Sequence, residues 1–251
     1  MARSIVVTGS AAGIGQATAA LLTAAGQRVI GVDRHNAEVI ADLATPQGRA
    51  AMIAGVQARA GGAIDAVVAC AGIARPDGLT VSVNYFGAIV TLEGLRPLLD
   101  RGDRPRALAI SSITATSPIN QYLVEACLRG DEWAALQATQ ELGHDIYAAT
   151  KAAVARWVRQ RAIRPEWVGR GILLNAVAPG YIATPMTQSF IHDVITQAGQ
   201  QGTMPIGRPG QPEEIAHLIA FLISPENSYM VGQIVFSDGG LEASSRGDHV
   251  W

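Results

Sequence analysis

The sequence predicts an α/β fold in which helices cover both faces of a doubly wound parallel sheet. Short apolar runs alternate with alanine-rich stretches of helical length along all 251 residues. Hydrophobic residues make up 49% of the chain and charged residues only 16%, which indicates a large buried core. This regular alternation of strands and helices is typical of repeated strand–helix–strand units, whose strands run parallel.

Six short runs rich in valine, isoleucine and alanine predict buried strands at 5–8, 28–33, 64–70, 107–111, 172–178 and 233–236. The run 39–43 also has the composition of a strand, but only five residues separate it from Asp33. A parallel crossover normally takes a dozen residues or more. We therefore expect either a bare turn in place of a crossover helix or a very short strand.

The stretches between these runs predict helices at 14–26, 46–60, 80–100, 147–164, 187–200 and 212–223. Thr45 before Pro46, and Gly210 to Pro212 before two glutamates, favour helix starts at those points. Because the sequence has no repeat and no linker composition, we expect residues 1–251 to form one domain.

Composition argues against several classes of function. The net charge is -2 and no basic stretch occurs, so we expect neither a nucleic-acid surface nor a membrane surface. Cys70 and Cys127 are too few and too far apart for a disulfide framework or a metal site. The first strand follows the N-terminus directly and no long apolar run occurs, so a cytoplasmic protein without bound metal is expected.

A glycine-rich turn follows the first predicted strand. Gly9, Gly13 and Gly15 lie in the run 8–15, together with Ser10 and Ile14, immediately before an alanine-rich helix. Glycines at such a turn let the backbone approach a pyrophosphate at a helix N-terminus. The position of the turn after the first strand favours a dinucleotide site over an ordinary glycine-rich turn.

Asp33 ends the second predicted strand, where an acidic side chain can accept hydrogen bonds from both hydroxyls of the adenosine ribose. The carboxylate would also repel a 2′-phosphate. Arg34 could accommodate that phosphate or lie over the adenine. The carboxylate favours NAD over NADP.

Lys151 is the only lysine in a chain with eighteen arginines, and Tyr147 precedes it by four residues. Side chains at this spacing lie on one face of a helix, so the two groups can form a general acid/base pair, although a solvated surface pair has the same spacing. Lowering the pKa of a tyrosine from about 10 to about 7 takes roughly 4 kcal/mol. A cation at about 4 Å supplies that only in a partly desolvated cleft, helped here by an oxidised nicotinamide.

Together with further motifs in the same order, these residues resemble the short-chain dehydrogenase/reductase family along nearly the whole chain. The family's pattern is matched by Thr8 to Gly15, Cys70-Ala71-Gly72, Asn84 within 83–87, Ser112 after a strand, Tyr147 with Lys151, the run 175–180, Thr184-Pro185 and the run 237–240.

The resemblance implies a Rossmann-type sheet with strand order 3-2-1-4-5-6-7 and a catalytic tetrad of Asn84, Ser112, Tyr147 and Lys151. In that tetrad Tyr147 would donate and accept the proton, and Ser112 would bind the substrate oxygen. Lys151 would bind the nicotinamide ribose and tune the tyrosine, and Asn84 would hold a water that relays protons.

The same resemblance implies which residues contact the cofactor. Asp42 and Leu43 would contact adenine, and Ala71 and Gly72 the adenosine ribose. The nicotinamide side would be formed by Pro179, Gly180, Ile182 and Thr184. Cys70 stands where the family commonly has asparagine. This difference removes one expected polar contact but does not change the expected course of the backbone.

Tyr147 follows Ser112 much further along the chain than is usual in the family, which indicates an insertion at about 113–146 with helix candidates at 118–129 and 131–142. The insertion could roof an apolar pocket, or it could pack on the body of the protein or on a partner subunit. Its surplus of carboxylates is most simply a solvated face, with attraction of an amine-bearing substrate as a second interpretation.

The insertion and the motif at 82–87 resemble the 3α-hydroxysteroid dehydrogenase/carbonyl reductase branch, which implies steroid, aromatic or other cyclic secondary alcohols and ketones as substrates. Aryl ketones and aromatic amino alcohols are the second candidates. A redox-inert NAD-sensing regulator and a sugar epimerase or dehydratase are alternatives of other classes. Family membership implies a homodimer or homotetramer, although the insertion could obstruct the usual contact between subunits.

Overall fold

A computed structural model describes residues 2–141, 145–191, 193, 196 and 205–249. Its strands form one parallel seven-stranded sheet in the order β3-β2-β1-β4-β5-β6-β7, which confirms the predicted order. The strands are β1 Ser4–Thr8, β2 Arg28–Asp33, β3 Val39–Ile40, β4 Ala66–Ala69, β5 Arg106–Ile110, β6 Leu173–Pro179 and β7 Ile234–Ser237.

Helices connect the strands and lie on both faces of the sheet. The α-helices are α1 Gly13–Ala24, α2 Pro46–Arg59, α3 Gly78–Val81, α4 Ala88–Leu99, α5 Gln121–Leu128, α6 Glu132–Ala138, α7 Asp145–Ala162, α8 Pro212–Leu222 and α9 Leu241–Arg246. The helices predicted at 14–26, 46–60, 147–164 and 212–223 are confirmed with shifts of one or two residues at their ends. Half of the helix predicted at 187–200 lies outside the described residues.

The predicted starts of α2 and α8 have a clear physical basis. The Thr45 hydroxyl accepts a hydrogen bond from the backbone N–H of Gly48 at 3.0 Å. At α8 the Glu214 carboxylate accepts from the Gln211 backbone N–H at 2.7 Å. Both bonds satisfy backbone donors that a helix end leaves without intrahelical partners.

The strand predicted at 39–43 is shorter than expected. Only Val39 and Ile40 pair with β2, and residues 34–38 form a turn. The Ala41 backbone N–H still bonds to the Asp33 carbonyl, after which the chain leaves the sheet. Both expectations for this short connection therefore hold, a bare turn and a very short strand.

The helix predicted at 80–100 is divided into three parts. It begins at α3, where the Asp77 carboxylate accepts from the Leu79 backbone N–H at 3.1 Å. A π-helix, Ser82–Gly87, then separates α3 from α4. Such wide turns inside α-helices occur frequently at functional sites, and Asn84 lies in this one.

Two apolar clusters enclose the sheet, one on each face. Val6 and Val67 point into one cluster, and Val7 and Val68 point into the other, because successive side chains of a strand alternate between faces. All four side chains are fully buried, as expected for a parallel sheet covered on both sides. No helix in the described part of the chain is long and apolar enough to cross a membrane.

Candidate functional site

A cavity of about 680 Å³ opens at the carboxyl ends of the strands. The structure brings eighteen of the twenty predicted site residues to its wall. They are Gly9, Gly13, Ile14, Gly15, Asp33, Arg34, Asp42, Leu43, Cys70, Ala71, Gly72, Ser112, Tyr147, Lys151, Pro179, Gly180, Ile182 and Thr184. The other two, Ser10 and Asn84, stand behind the wall.

The glycine-rich turn passes close to the loop after β4. Gly9 and Gly13 have φ of 71° and 53°, in the left-handed region that favours glycine. A Cβ at Gly9 would lie 2.9 Å from the Cα of Ala71, and a Cβ at Gly15 would collide with the Gly9 carbonyl oxygen. Glycine at position 15 lets α1 come this close to the end of β1, and the turn leaves the helix N-terminus facing the cavity, as a pyrophosphate site requires.

The Asp33 carboxylate accepts two hydrogen bonds from within the protein. One carboxylate oxygen accepts from the Ala11 backbone N–H at 3.1 Å, and the other from the Arg34 backbone N–H at 2.7 Å. A carboxylate can accept about four hydrogen bonds, so half of its capacity is left for a diol. Arg34 is exposed beside it.

Ser10 does not point into the cavity. Its hydroxyl lies 2.7 Å from the position that a Cβ of Gly31 would take, which places the side chain against β2. Glycine at position 31 therefore makes room for Ser10, and the contribution of Ser10 to the cavity is limited to its backbone.

Thr8 is a positioning residue that the sequence interpretation missed. Its hydroxyl accepts hydrogen bonds from the backbone N–H groups of Cys70 and Ala71 at 3.0 and 3.1 Å. These bonds join the ends of β1 and β4 and hold the loop that carries Gly72. A threonine at the last position of a strand, directly before the glycine-rich turn, is the signal that could have identified it.

Burial raises the pKa of the neighbouring Cys70 thiol to about 12.

Helix α7 presents Tyr147 and Lys151 to the cavity from one face, as their spacing predicts. The Lys151 ammonium lies 5.5 Å from the centre of the Tyr147 ring. It donates a hydrogen bond to the Ile110 carbonyl oxygen at 2.9 Å. The Ser111 hydroxyl donates to the Lys151 carbonyl oxygen at 2.9 Å, so the end of β5 fixes this turn of the helix.

Burial opposes the charged forms of both groups. It raises the pKa of Tyr147 to about 12, although the hydrogen bond with the Ser112 hydroxyl acts in the opposite direction. Burial also lowers the pKa of Lys151 to about 8. Burial thus shifts the pKa of Tyr147 in the direction opposite to the one expected from a neighbouring ammonium.

Ser112 caps the 3₁₀ turn Ile113–Thr116 that follows β5. Its hydroxyl oxygen accepts from the Thr114 backbone N–H at 3.2 Å and from the Thr114 hydroxyl at 3.0 Å. These bonds leave the Ser112 proton available for donation toward the cavity. A substrate oxygen beside Tyr147 would meet two hydroxyl groups.

Asn84 supports the site from behind the wall. Its Oδ1 accepts from the Ile73 backbone N–H at 2.8 Å, and its Nδ2 donates to the Ile73 carbonyl oxygen at 2.9 Å. Its Nδ2 also lies 3.4 Å from the Thr150 hydroxyl. These contacts fix the loop after Gly72 onto the π-helix and α7, and the water relay expected at Asn84 stays a prediction.

The loop after β6 closes the other side of the cavity. The Thr187 hydroxyl accepts from the Thr184 backbone N–H at 3.1 Å and donates to the Ile182 carbonyl oxygen. The methyl group of Thr184 lies close to Gly13, 3.2 Å from where a Cβ of Gly13 would be. The loop after β6 thus approaches the glycine-rich turn directly at Thr184.

The insertion packs on the body of the protein. Leu123 and Cys127 of α5 and Ala135 of α6 are fully buried in the cluster that also contains α7. None of the described residues between Ser112 and Tyr147 lines the cavity. Of the two roles expected for the insertion, packing on the body is thus the one supported by the described residues.

The carboxylates of the insertion have other partners. Glu132 pairs with Arg49 at 2.6 Å, and Asp131 accepts from the Ala134 backbone N–H at the start of α6. Glu125 lies 3.9 Å from Arg156. These groups do not line the cavity, which removes the support for attraction of an amine-bearing substrate. Within the described residues no cluster of histidine, cysteine, aspartate or glutamate side chains could hold a metal ion.

Comparison with known families matches two parts of the chain. Residues 3–124 match the family described as short chain dehydrogenase. Residues 133–242 match the family described as enoyl-(acyl carrier protein) reductase. Together the two matches include both the glycine-rich turn and the Tyr147–Lys151 pair.

Individual relatives are similar over almost their whole lengths. A 3-alpha-hydroxysteroid dehydrogenase/carbonyl reductase of Comamonas testosteroni is 38% identical over 96% of this chain and 97% of its own. A cis-4-hydroxycyclohexanecarboxylate dehydrogenase of Sinomonas cyclohexanicum is 34% identical with the same coverage. The crystal structure of a 3-alpha-hydroxysteroid dehydrogenase from Pseudomonas sp. B-0831 complexed with NADH has a TM-score of 0.90 and 42% identity, covering 98% of this chain and 99% of that one.

Proposed function

The chain belongs to the short-chain dehydrogenase/reductase family, and from that premise we propose that it transfers hydride between NAD(H) and a bulky cyclic secondary alcohol or the corresponding ketone. One observation carries this proposal most directly. Ser112, Tyr147 and Lys151 share a single cavity with the glycine-rich turn and Asp33. An alcohol substrate and a dinucleotide bound in this cavity would therefore lie next to each other at the hydroxyl of Tyr147.

The residues of the chain supply the proton transfer of this reaction. Oxidation of a secondary alcohol removes a hydride from carbon and a proton from oxygen, and a bound nicotinamide supplies the site for the hydride. Tyr147 takes the proton at its phenolic oxygen, and in the direction of reduction it returns the proton to the carbonyl oxygen. Ser112 donates a hydrogen bond to the same substrate oxygen and holds it beside the phenol.

Lys151 contributes a positive charge and a hydrogen-bond donor. Burial raises the pKa of Tyr147 and lowers that of Lys151, so a nearby charge of opposite sign favours the charged form of each group. A phenolate beside Lys151 would stabilise the ammonium, and the ammonium would stabilise the phenolate. A positively charged nicotinamide at this end of the cavity would stabilise the phenolate further.

The nucleotide end supports NAD as the cofactor. The glycine-rich turn provides the approach for the pyrophosphate, and Asp33 retains capacity to accept two ribose hydroxyls. Asp42 and Leu43 line the wall beyond Asp33, where adenine would lie. The NADH complex of the Pseudomonas enzyme supports the same choice.

Much of the remaining wall of the cavity is apolar, which suits a cyclic substrate. Ile73, Leu79, Val83 and Met186 line the part of the cavity beyond the expected cofactor path. The relatives named for a 3α-hydroxysteroid and for a hydroxycyclohexane carboxylate both oxidise ring alcohols by their names. Aryl ketones remain the second candidates, and aromatic amino alcohols are less favoured, because no carboxylate in the described part of the insertion lines this wall. A redox-inert regulator would not require Ser112, Tyr147 and Lys151 together.

The experiment that tests the proposal is a substrate panel. Purified protein is incubated with NAD or with NADP and with a 3α-hydroxysteroid, a substituted cyclohexanol, an aryl carbinol or an aromatic amino alcohol. Absorbance of the reduced nicotinamide is followed. We expect turnover with NAD and the ring alcohols, and slower turnover with NADP. No turnover of any alcohol, or of the ketones with NADH, would contradict the proposed function.

A further inference from the structure

We propose that Arg75 forms a carboxylate-binding subsite at the catalytic end of the cavity, so that the favoured ring alcohol carries a carboxylate distant from its hydroxyl group. This inference rests on the proposed function and adds a charge requirement to the substrate. It assigns a specificity-determining role to a residue outside the predicted tetrad and outside the expected cofactor contacts.

The position of Arg75 follows from the loop after β4. A Cβ at Gly72 would lie 3.5 Å from the Lys151 ammonium, so Gly72 stands at the catalytic end. Arg75 is three residues further on, which places its Cα no more than about 11 Å from that of Gly72. Arg75 lines the same cavity as Ser112 and Tyr147. Arg75 therefore stands on the wall of the cavity that holds the proposed catalytic residues, within about 11 Å of Gly72 along the chain.

The backbone of Arg75 is fixed by Thr80. The Arg75 backbone N–H donates to the Thr80 hydroxyl at 2.9 Å, and that hydroxyl donates to the Arg75 carbonyl oxygen at 2.7 Å. Thr80 itself is fully buried. The loop thus holds the base of the arginine side chain in one place on the rim of the cavity.

The Arg75 guanidinium uses one of its three nitrogens, Nε, to bind a carboxylate of the protein. Its Nε donates to the Asp77 carboxylate at 2.8 Å, and the other oxygen of Asp77 is engaged by the Leu79 backbone N–H. In the described part of the chain, neither terminal nitrogen of Arg75 has a hydrogen-bond partner. Two parallel terminal N–H groups are the donor pair that binds a carboxylate in bidentate geometry.

The charges around the cavity favour an anion at this end. The carboxylates on the described wall are Asp33 and Asp42, both at the nucleotide end. The cations are Arg34 at that same end, and Lys151 and Arg75 at the other, where the Asp77 carboxylate pairs with the Nε of Arg75 and leaves a net charge of about +1. Ile73 and Leu79 lie beside Arg75 and offer an apolar surface for a ring. A ligand with an apolar body and a carboxylate therefore complements this end better than a neutral or cationic ligand.

The test uses binding of two probes that lack a hydroxyl group, so it does not depend on turnover. Cyclohexanecarboxylate and its neutral carboxamide are titrated by calorimetry into the full chain, with and without NADH. The proteins compared are the wild type, Arg75→Gln and Arg75→Lys. Arg104→Gln is the matched control, because Arg104 is 61% exposed against 60% for Arg75, pairs with a neighbouring aspartate, and lies before β5 at the opposite edge of the sheet.

We expect the wild type and Arg104→Gln to bind the carboxylate about tenfold or more tightly than the amide. Arg75→Gln should lose this preference while its affinity for the amide stays within about twofold, and Arg75→Lys should keep part of it. A wild type without preference, or an Arg75→Gln protein that retains it, would overturn the subsite. Absence of turnover in the alcohol panel would instead refute the proposed function. The binding experiment could still be interpreted, because it does not depend on turnover.

Discussion

At the scale of single residues, the tyrosine–lysine pair combines a part that the sequence predicts with a part that it does not. Spacing on a helix and the single lysine predict that Tyr147 and Lys151 share a face, and the structure places them on one wall of the cavity. The balance between burial and charge attraction at the phenol depends on the three-dimensional environment, which spacing does not give. The direction of the Tyr147 pKa shift therefore could not be read from the sequence.

Lys151 makes the stability of the protein depend on pH. The side chain is 4% exposed, and burial lowers its pKa from 10.5 to about 8. Between these values the unfolded chain still binds the proton that the folded chain has released, so this group makes stability rise with pH by up to about 1.4 kcal/mol per pH unit. Below about pH 8 both states are protonated and the dependence vanishes.

The corresponding experiment compares the wild type with Lys151→Met in chemical unfolding at about pH 7.5 and about pH 9.5. We expect the free energy of unfolding of the wild type, relative to the variant, to increase by about 2 kcal/mol between the two pH values. Titration of tyrosines and cysteines is common to both proteins and cancels in the difference. Equal pH dependence of the two proteins would show that the buried lysine keeps its ordinary pKa.

At the scale of elements, the insertion is joined to the cofactor-binding half of the protein by one buried arginine. Arg49 of α2 is 5% exposed and makes two hydrogen bonds to the Glu132 carboxylate of α6, at 2.6 and 2.7 Å. It also donates to the carbonyl oxygens of Leu43 and Ser82 at 2.8 and 3.2 Å. Leu43, which is expected to contact adenine, the π-helix and the insertion therefore share one guanidinium.

Removing the carboxylate from this pair should destabilise the protein. We expect Glu132→Ala to lower the free energy of unfolding by about 2 kcal/mol, because it leaves a buried guanidinium with carbonyl partners only. Urea unfolding monitored by circular dichroism gives the measurement. Glu125→Ala is the control on the same insertion, since its exposed pair with Arg156 at 3.9 Å should contribute less than about 0.5 kcal/mol. Equal losses for both variants would contradict the role assigned to Arg49.

Element boundaries show where the sequence was informative. The alternation of apolar runs and alanine-rich stretches predicts the strands and most helices, because burial on both faces and helix propensity act locally. The π-helix at 82–87 was not predicted, and the very short strand expected at 39–43 was predicted without the position at which it ends. Both depend on tertiary contacts, namely the Ile73–Asn84 hydrogen bonds and the place where the chain leaves the sheet at Ala41.

At the scale of the whole molecule, binding of a dinucleotide should stabilise the fold. The expected cofactor wall includes the ends of β1, β2, β4, β5 and β6, so a bound nucleotide would contact elements from both halves of the sheet. This convergence follows from the parallel sheet, whose strands bring their carboxyl ends to one edge. The number of domains and of subunits stays a prediction.

Stabilisation by the nucleotide tests the choice of cofactor. At a concentration of about 100 times its dissociation constant, a ligand adds about 2.7 kcal/mol to the free energy of unfolding. We expect NADH to raise the thermal midpoint more than NADPH does, because Asp33 would face the 2′-phosphate of NADPH. Asp33→Ala should reduce the difference. Equal midpoint shifts with the two nucleotides in the wild type would contradict the assignment of Asp33.

The central claim, that the phenol of Tyr147 transfers the proton in a hydride-transfer reaction, is tested most directly by Tyr147→Phe. This change removes one oxygen atom and leaves the ring to pack as before. With NAD and an active ring alcohol, we expect turnover to fall by about a thousandfold or more, while the affinity for NADH, measured by fluorescence titration, stays within about twofold. Turnover near the wild-type rate with unchanged NADH affinity would contradict the claim.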